Sequence, residues 1–239
     1  SFDINMPKEV NRLVIDGLSD ILFTAGMSNN SIANREGAEL SKVYMVGNIL
    51  IDNTRADRGR FVRPAVLDRL GIDDHSYLVF TLNRKALIAN TDNLQRMLQA
   101  LVTAAGSTPI IAPLRGIARE TVMALLPTLP THLHLIDPLG YLEFGYLSLH
   151  AKGIITDSGN VAEEATFNSV PCITLNSYTE HIETVKVGSN VLVGEDAKAL
   201  AIYVSQMTAG QWKPCAIPER WDGRSAERIL QTLLELPRK

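Results

Sequence analysis

The stretch Gly153-Ile-Ile-Thr-Asp-Ser-Gly-Asn-Val-Ala-Glu-Glu164 decides the fold. A β-rich apolar run ends at Asp157, a turn of small residues follows, and a helix is predicted from near Asn160. The same strand–turn–helix unit repeats on both sides. Strand-like runs fall at Asp20–Ala25, Val43–Gly47, Tyr77–Leu82, Pro109–Pro113, Leu133–Asp137, Gly153–Asp157, Pro171–Leu175 and Asn190–Gly194. Between the later runs, Asn90–Ala105, Ala118–Leu126, Tyr141–Ala151, Val161–Asn168, Glu180–Val187 and Ala197–Met207 carry apolar residues at helical intervals. Strands alternating with helices predict the α/β class, a doubly wound parallel sheet covered on both faces. The last six strands form one complete Rossmann-like unit, with its ligand crevice at their carboxyl ends.

Residues 76–215 are read as that lobe. Residues 1–52 hold a helix and two strand-like runs, too little for a domain, and read as the tail of a preceding α/β domain. The Arg- and Asp-rich stretch from Asp52 to Asp73 is a bridge or an exposed helix, which makes 53–75 the linker. Residues 216–239 are a loop closed by a helix from Arg224 to Leu236. The start Ser1-Phe-Asp-Ile-Asn5 has no initiator Met and no signal-peptide pattern, so the expectation is the middle of a longer protein.

Of the 239 residues, 46% are hydrophobic and 21% charged, enough apolar matter to bury a full core. A net charge of −3 offers no polyanion-binding surface, so no nucleic-acid partner is expected. Two cysteines are too few for a disulfide framework, and Cys172, inside Pro171–Leu175, reads as a small buried hydrophobe. A reduced, cytoplasmic setting fits. No apolar run approaches the roughly 18 residues of a membrane span, so no membrane partner is expected.

The turn Thr156-Asp-Ser-Gly-Asn160 is the best local signal for chemistry. A helix start presents free peptide N–H groups and the positive end of its dipole, which suits a diphosphate. There Ser158, Gly159 and Asn160 would meet the anion, and Glu164, one turn on, would accept from ribose hydroxyls. The competing reading makes Ser158 an N-cap, with Glu163 and Glu164 favouring the dipole. A second strand end, Ile136-Asp-Pro-Leu-Gly-Tyr-Leu-Glu-Phe144, offers Pro138, Tyr141 and Phe144 as walls of a flat base pocket, or as a turn whose aromatics enter the core. His132 and His134 face opposite ways along a strand and make a poor metal pair, and no metal is expected. His181 stands at a plausible cleft edge, or is a solvated or capping residue at a helix start. The hydrolase, zinc-peptidase, Walker and dinucleotide motifs are not found in the sequence.

Several stretches, in order, resemble the non-hydrolysing UDP-N-acetylglucosamine 2-epimerases. They are Met6-Pro-Lys-Glu-Val-Asn-Arg12, Val46-Gly-Asn-Ile-Leu-Ile-Asp52, Leu135-Ile-Asp-Pro-Leu-Gly-Tyr-Leu142, Thr156-Asp-Ser-Gly159, Glu163-Glu-Ala165, Thr179-Glu180, Glu183-Thr-Val-Lys-Val-Gly188 and Asp222-Gly-Arg-Ser-Ala-Glu-Arg-Ile229. The resemblance implies the second lobe of a glycosyltransferase-B-like pair, plus a remnant of the first. It also implies UDP or a UDP-sugar as ligand with no further cofactor. The family activity is interconversion of UDP-GlcNAc and UDP-ManNAc through elimination and re-addition of UDP, in cell-surface polysaccharide biosynthesis. Arg84 is expected at the UDP, with Arg12, Glu180 and His181 at the cleft edge.

Against the family pattern, Lys8 stands where Met-Pro-Glu-Glu has its first Glu. Asn83 in Thr81-Leu-Asn-Arg84 and Arg115 in Pro113-Leu-Arg-Gly116 stand for histidines. Ser158-Gly-Asn-Val-Ala162 stands for Ser-Gly-Gly-Ile-Gln, and Thr179-Glu-His-Ile-Glu183 for Thr-Glu-Arg-Pro-Glu. Lys8 cannot be a carboxylate base, Asn83 carries no charge, and Asn160 adds a Cβ beside the phosphate. The expectation is a family member whose fold outlived its active site, this chain alone being inactive. A non-catalytic UDP-sugar-binding or assembly module and a glycosyltransferase-B-like lobe are the alternatives. Ile21–Phe23 and Val43–Met45, without further sheet neighbours, would favour a homo-oligomer.

Overall fold

A computed structural model describes residues 7–38 and 42–236; Met6, at the head of the Met6–Arg12 stretch, lies outside them. Two compact units are formed, Ser1–Arg55 with Pro218–Lys239, and Ala56–Ile217.

In the first unit, helices Pro7–Leu18 (α1) and Met27–Arg35 (α2) accompany strands Leu22–Thr24 (β1) and Val43–Met45 (β2), paired in parallel. Helix Ile49–Asp57 (α3) carries the boundary between the units. The carboxy-terminal segment, read from sequence as a separate loop and helix, belongs to this unit. Trp221 is buried and its indole N–H donates to the Ala25 carbonyl at 3.0 Å. Asp52 of α3 accepts from the N–H groups of Ser225 and Ala226 at 3.0 and 2.7 Å, capping the last helix. The chain can pass only because position 47 is glycine. Its φ is +102°, and a Cβ there would lie 2.1 Å from the Arg220 carbonyl oxygen.

The second unit holds six parallel strands: Leu78–Phe80 (β3), Ile110–Pro113 (β4), Leu133–Ile136 (β5), Gly153–Thr156 (β6), Cys172–Thr174 (β7) and Asn190–Leu192 (β8). They stand in the order β5-β4-β3-β6-β7-β8, so the order reverses between β3 and β6. That reversal is the topological switch point, where a crevice opens at the carboxyl ends of doubly wound sheets. Strand alternation divides the core between two faces. Leu78, Phe80, Ile110, Ala112, Ile155 and Ile173 pack on one face. Tyr77, Val79, Ile111, Ile154 and Cys172 pack on the other. The first face is covered by helices Thr91–Ala105 (α6), Gly116–Leu125 (α7) and Ala197–Thr208 (α11), with α6 lying along α11. The second is covered by Ala65–Leu70 (α4), Tyr141–Leu149 (α8) and Gly159–Phe167 (α9). Short helices Lys85–Ala89 (α5) and Glu183–Lys186 (α10) follow β3 and β7, and Ser225–Glu235 (α12) closes the first unit.

All eight strands expected from sequence are present, each a residue or more shorter at one end or both. Cys172 is fully buried, which pushes its thiol up to about 12, the behaviour of a buried hydrophobe. The stretch from Asp52 to Asp73 carries the boundary between the units and is helical over much of its length, but it is not exposed throughout. It comprises the end of α3, a 3-10 turn at Arg58–Arg60, and α4, whose Leu67 is fully buried in the second core face. The charges of Arg63 and Asp68 masked that apolar contact in the pattern; Arg63 pairs with Asp68 and with Asp74, just beyond the stretch.

Candidate functional site

The switch point is built by residues that leave β3 and β6. The register pairs Phe80 with Ile155, and the next residues continue it through a Thr81–Thr156 hydroxyl contact of 2.6 Å. Asp157 follows, buried. Its Oδ2 accepts from the peptide N–H groups of Asn83 at 2.6 Å and Arg84 at 2.5 Å. Its own carbonyl accepts from the Asn176 amide at 3.1 Å. One residue therefore ties the ends of β3, β6 and β7.

Helix α9 starts at once after this lock. Ser158 occupies the N-cap position with extended backbone (φ −99°, ψ 124°), but its hydroxyl makes no capping hydrogen bond. By contrast, Asn90 and Asp196 do cap α6 and α11 with their side chains. Serine as a side-chain cap is thus not realised. Gly159 and Asn160 are exposed, and Glu164 is half-buried on the first turns of the helix. The Ser158 side chain leaves the first N–H groups of α9 uncapped, as happens also at α2, α4, α7 and α8.

Arg84 turns away from β3. Its Nη2 donates to the Leu175 carbonyl at 3.1 Å and pairs with Glu195 at 2.7 Å. Asn83 and Arg115 are exposed, in the segments that follow the carboxyl ends of the parallel-paired strands β3 and β4. Arg115 makes no hydrogen bond or ion pair among the described residues.

The base-pocket trio divides. Pro138 is exposed, and Tyr141 is 46% exposed with its ring edge-on to Phe61 at 6.2 Å. Phe144 packs against the second core face. Beside Pro138 lies a cavity of about 280 Å³ lined by Arg69, Arg119, Ile136 and Asp137, with Arg119 and Asp137 paired at 3.2 Å. A larger cavity of about 840 Å³ lies in the first unit between β2 and α12 and holds none of the expected site residues.

Glu180 and His181 do not open a helix. The Thr179 hydroxyl accepts the His181 N–H at 3.2 Å, a local turn that delays the helix to Glu183. His181 Nε2 lies 3.6 Å from Glu163 Oε1. The loop is held from behind by Thr184, whose hydroxyl donates to the His181 carbonyl at 2.8 Å and accepts from Asn190 at 3.3 Å. Gly188 allows the close approach, since a Cβ there would lie 2.4 Å from Thr166 Cγ2 and 2.7 Å from the Thr184 carbonyl.

In the first unit, Lys8 is exposed on α1. Arg12 is enclosed by carboxylates, with Glu9, Asp16 and Glu36 at 2.7, 2.8 and 2.6 Å. The Arg12 guanidinium holds the Glu9 carboxyl below its usual range. Sequence reading did not single out Asp157, Asn176 or Glu195, whose roles rest on partners tens of residues away.

A family model described as UDP-N-acetylglucosamine 2-epimerase matches residues 1–234. The chain is 36% identical to the UDP-N-acetylglucosamine 2-epimerase of Methanocaldococcus jannaschii over 98% of its own length and 66% of that relative's. It is 34% identical to a Pseudomonas aeruginosa UDP-2,3-diacetamido-2,3-dideoxy-D-glucuronate 2-epimerase, over 99% and 66%. It thus spans just under two thirds of these relatives. Among solved structures, the M. jannaschii UDP-GlcNAc 2-epimerase in complex with UDP-GlcNAc and UDP aligns with a TM-score of 0.79 at 32% identity, over 98% of this chain and 66% of that one. The Neisseria meningitidis enzyme bound to UDP-GlcNAc shares the fold at a TM-score of 0.82 and 23% identity, over 99% and 67%. On these matches the chain is a member of the UDP-N-acetylglucosamine 2-epimerase family.

Proposed function

We propose that the second unit holds the UDP part of a UDP-sugar at the carboxyl ends of β3 and β6, and that this chain by itself binds without inverting C2. The observation that carries the binding half is α9, which begins straight after β6 at the switch point with no side chain capping it. The diphosphate would meet the Ser158 hydroxyl and the first N–H groups of α9. Glu164 would accept from the ribose, and Pro138 and Tyr141 would flank the base. The M. jannaschii relative, crystallised with UDP-GlcNAc and UDP, supports this ligand class.

The second half rests on side-chain chemistry. Epimerisation at C2 needs a base for the C2 proton and positive charge at the departing diphosphate. Lys8 has no carboxylate and Asn83 has no ionisable group, so neither supplies what the resemblance expects at those places. Arg84 is already engaged by Glu195. Incubating purified chain with UDP-GlcNAc and resolving the products by NMR tests the proposal. Unchanged UDP-GlcNAc is the expected result, and accumulation of UDP-ManNAc would refute the loss of turnover.

A further inference from the structure

We infer that Asp157 is the positioning residue of the nucleotide site, acting through the shape it gives the Asn83–Arg84 turn and against its own charge. The inference rests on the UDP-binding reading above. Asp157 is 8% exposed and stands two residues before the first residue of α9. Two consecutive peptide N–H groups, of Asn83 and Arg84, converge on its Oδ2 at 2.6 and 2.5 Å. Few backbone paths let neighbouring N–H groups share one acceptor, so the carboxylate fixes the direction in which β3 is left. The consequences are visible on both sides of the turn. Asn83 is presented at the exposed carboxyl edge, and Arg84 is sent across the end of β6 to the Leu175 carbonyl and Glu195. The Asp157 carbonyl, held by Asn176 at 3.1 Å, fastens the other flank.

The charge works the other way. A carboxylate two residues before α9 adds negative charge near the place where a diphosphate is expected, and repels it. Geometry and charge are therefore opposed in one side chain, and substitution separates them. Asp157→Asn keeps an oxygen to accept both N–H groups and removes the charge. Asp157→Ala removes both. A residue that served only the scaffold would weaken binding in step with lost stability in either variant.

The test is UDP titration calorimetry on the unsubstituted chain and both variants, with urea unfolding to confirm the folded fraction. In parallel, the amide resonances of Asn83 and Arg84 are followed by ¹⁵N–¹H NMR. Asp157→Asn is expected to bind UDP as tightly or up to about tenfold more tightly. Asp157→Ala is expected to bind about tenfold more weakly, the scale of a lost charge-assisted contact. The two amides should stay downfield in the Asn variant and move in the Ala variant. Undiminished UDP binding by folded Asp157→Ala overturns the inference, as does an Asn variant weakened as much as the Ala variant. Should Asp157→Ala not fold, Asp157→Asn decides alone: equal or tighter binding supports the role, and weakening beyond about threefold overturns it. If the unsubstituted chain takes no UDP, the site reading fails and this inference with it. Equal binding by all three proteins removes the positioning role only.

Discussion

At the residue scale, Arg115 is an exposed guanidinium without a partner among the described residues, just past the end of β4, while Asn83 is neutral and Arg84 is paired with Glu195. If a diphosphate crosses this edge, Arg115 is placed to supply part of its counter-charge, as a planar fork that matches phosphate. Arg115→Ala is expected to weaken UDP by about tenfold while leaving uridine unchanged, measured by calorimetry on the two ligands. An equal loss for both ligands would remove the charge role. Arg115 and Asn83 were legible in the sequence through the resemblance, because Pro113–Gly116 and Thr81–Arg84 stand for family motifs. The Asp157 lock was not, because its partners lie 74 and 73 residues away and no local pattern records them. The Ser158 turn was readable as a helix start, but the direction of its hydroxyl was not.

Among the elements, the strands of the second unit were the easiest to read. Strands β3, β6 and β7 are buried on both faces and β4 nearly so, and they show as largely apolar runs, whereas the edge strand β5 is mostly half-buried. The failures have separate causes. In Glu180–Val187 a threonine-based turn outcompeted helical periodicity until Glu183. In Asp52–Asp73 surface ion pairs dominated the composition and hid the few apolar residues that reach the core. A second set of charges governs how the last segment behaves with pH. The Arg228 guanidinium holds the Asp222 carboxyl below its usual range, helped by the Arg224 N–H. A carboxyl depressed in the folded state contributes stability above its unfolded value, and that contribution is lost as pH falls through the folded value. Glu9, held down by Arg12, has the same sign. Thermal melts should therefore lose midpoint below about pH 4. Asp222→Asn should melt lower at pH 7 and show a shallower acid limb; melts of the two proteins with parallel acid limbs would contradict this coupling.

For the whole molecule, alternation of strands and helices was enough for the α/β class and the parallel sheet. The strand order was not contained in any local pattern; it follows from how doubly wound units close, and the observed order agrees with that rule. No helix among the described residues is long and apolar enough to cross a membrane. The first unit leaves apolar side chains in water, with Val14, Ile15 and Leu18 of α1 being 55%, 62% and 83% exposed. Faces of this kind favour association. Light scattering after size exclusion is expected to give a mass above the 26.2 kDa of one chain, falling when Ile15 and Leu18 are both changed to Lys. A single-chain mass at all concentrations would refute it. Nucleotide binding is assigned to residues of the second unit alone, so it should not depend on that association. Isothermal titration of UDP into the purified chain decides whether the switch point of the second unit is a nucleotide site. Saturable binding that weakens in Ser158→Ala and Glu164→Gln is the predicted result, whereas no heat and no thermal stabilisation at millimolar UDP would contradict it.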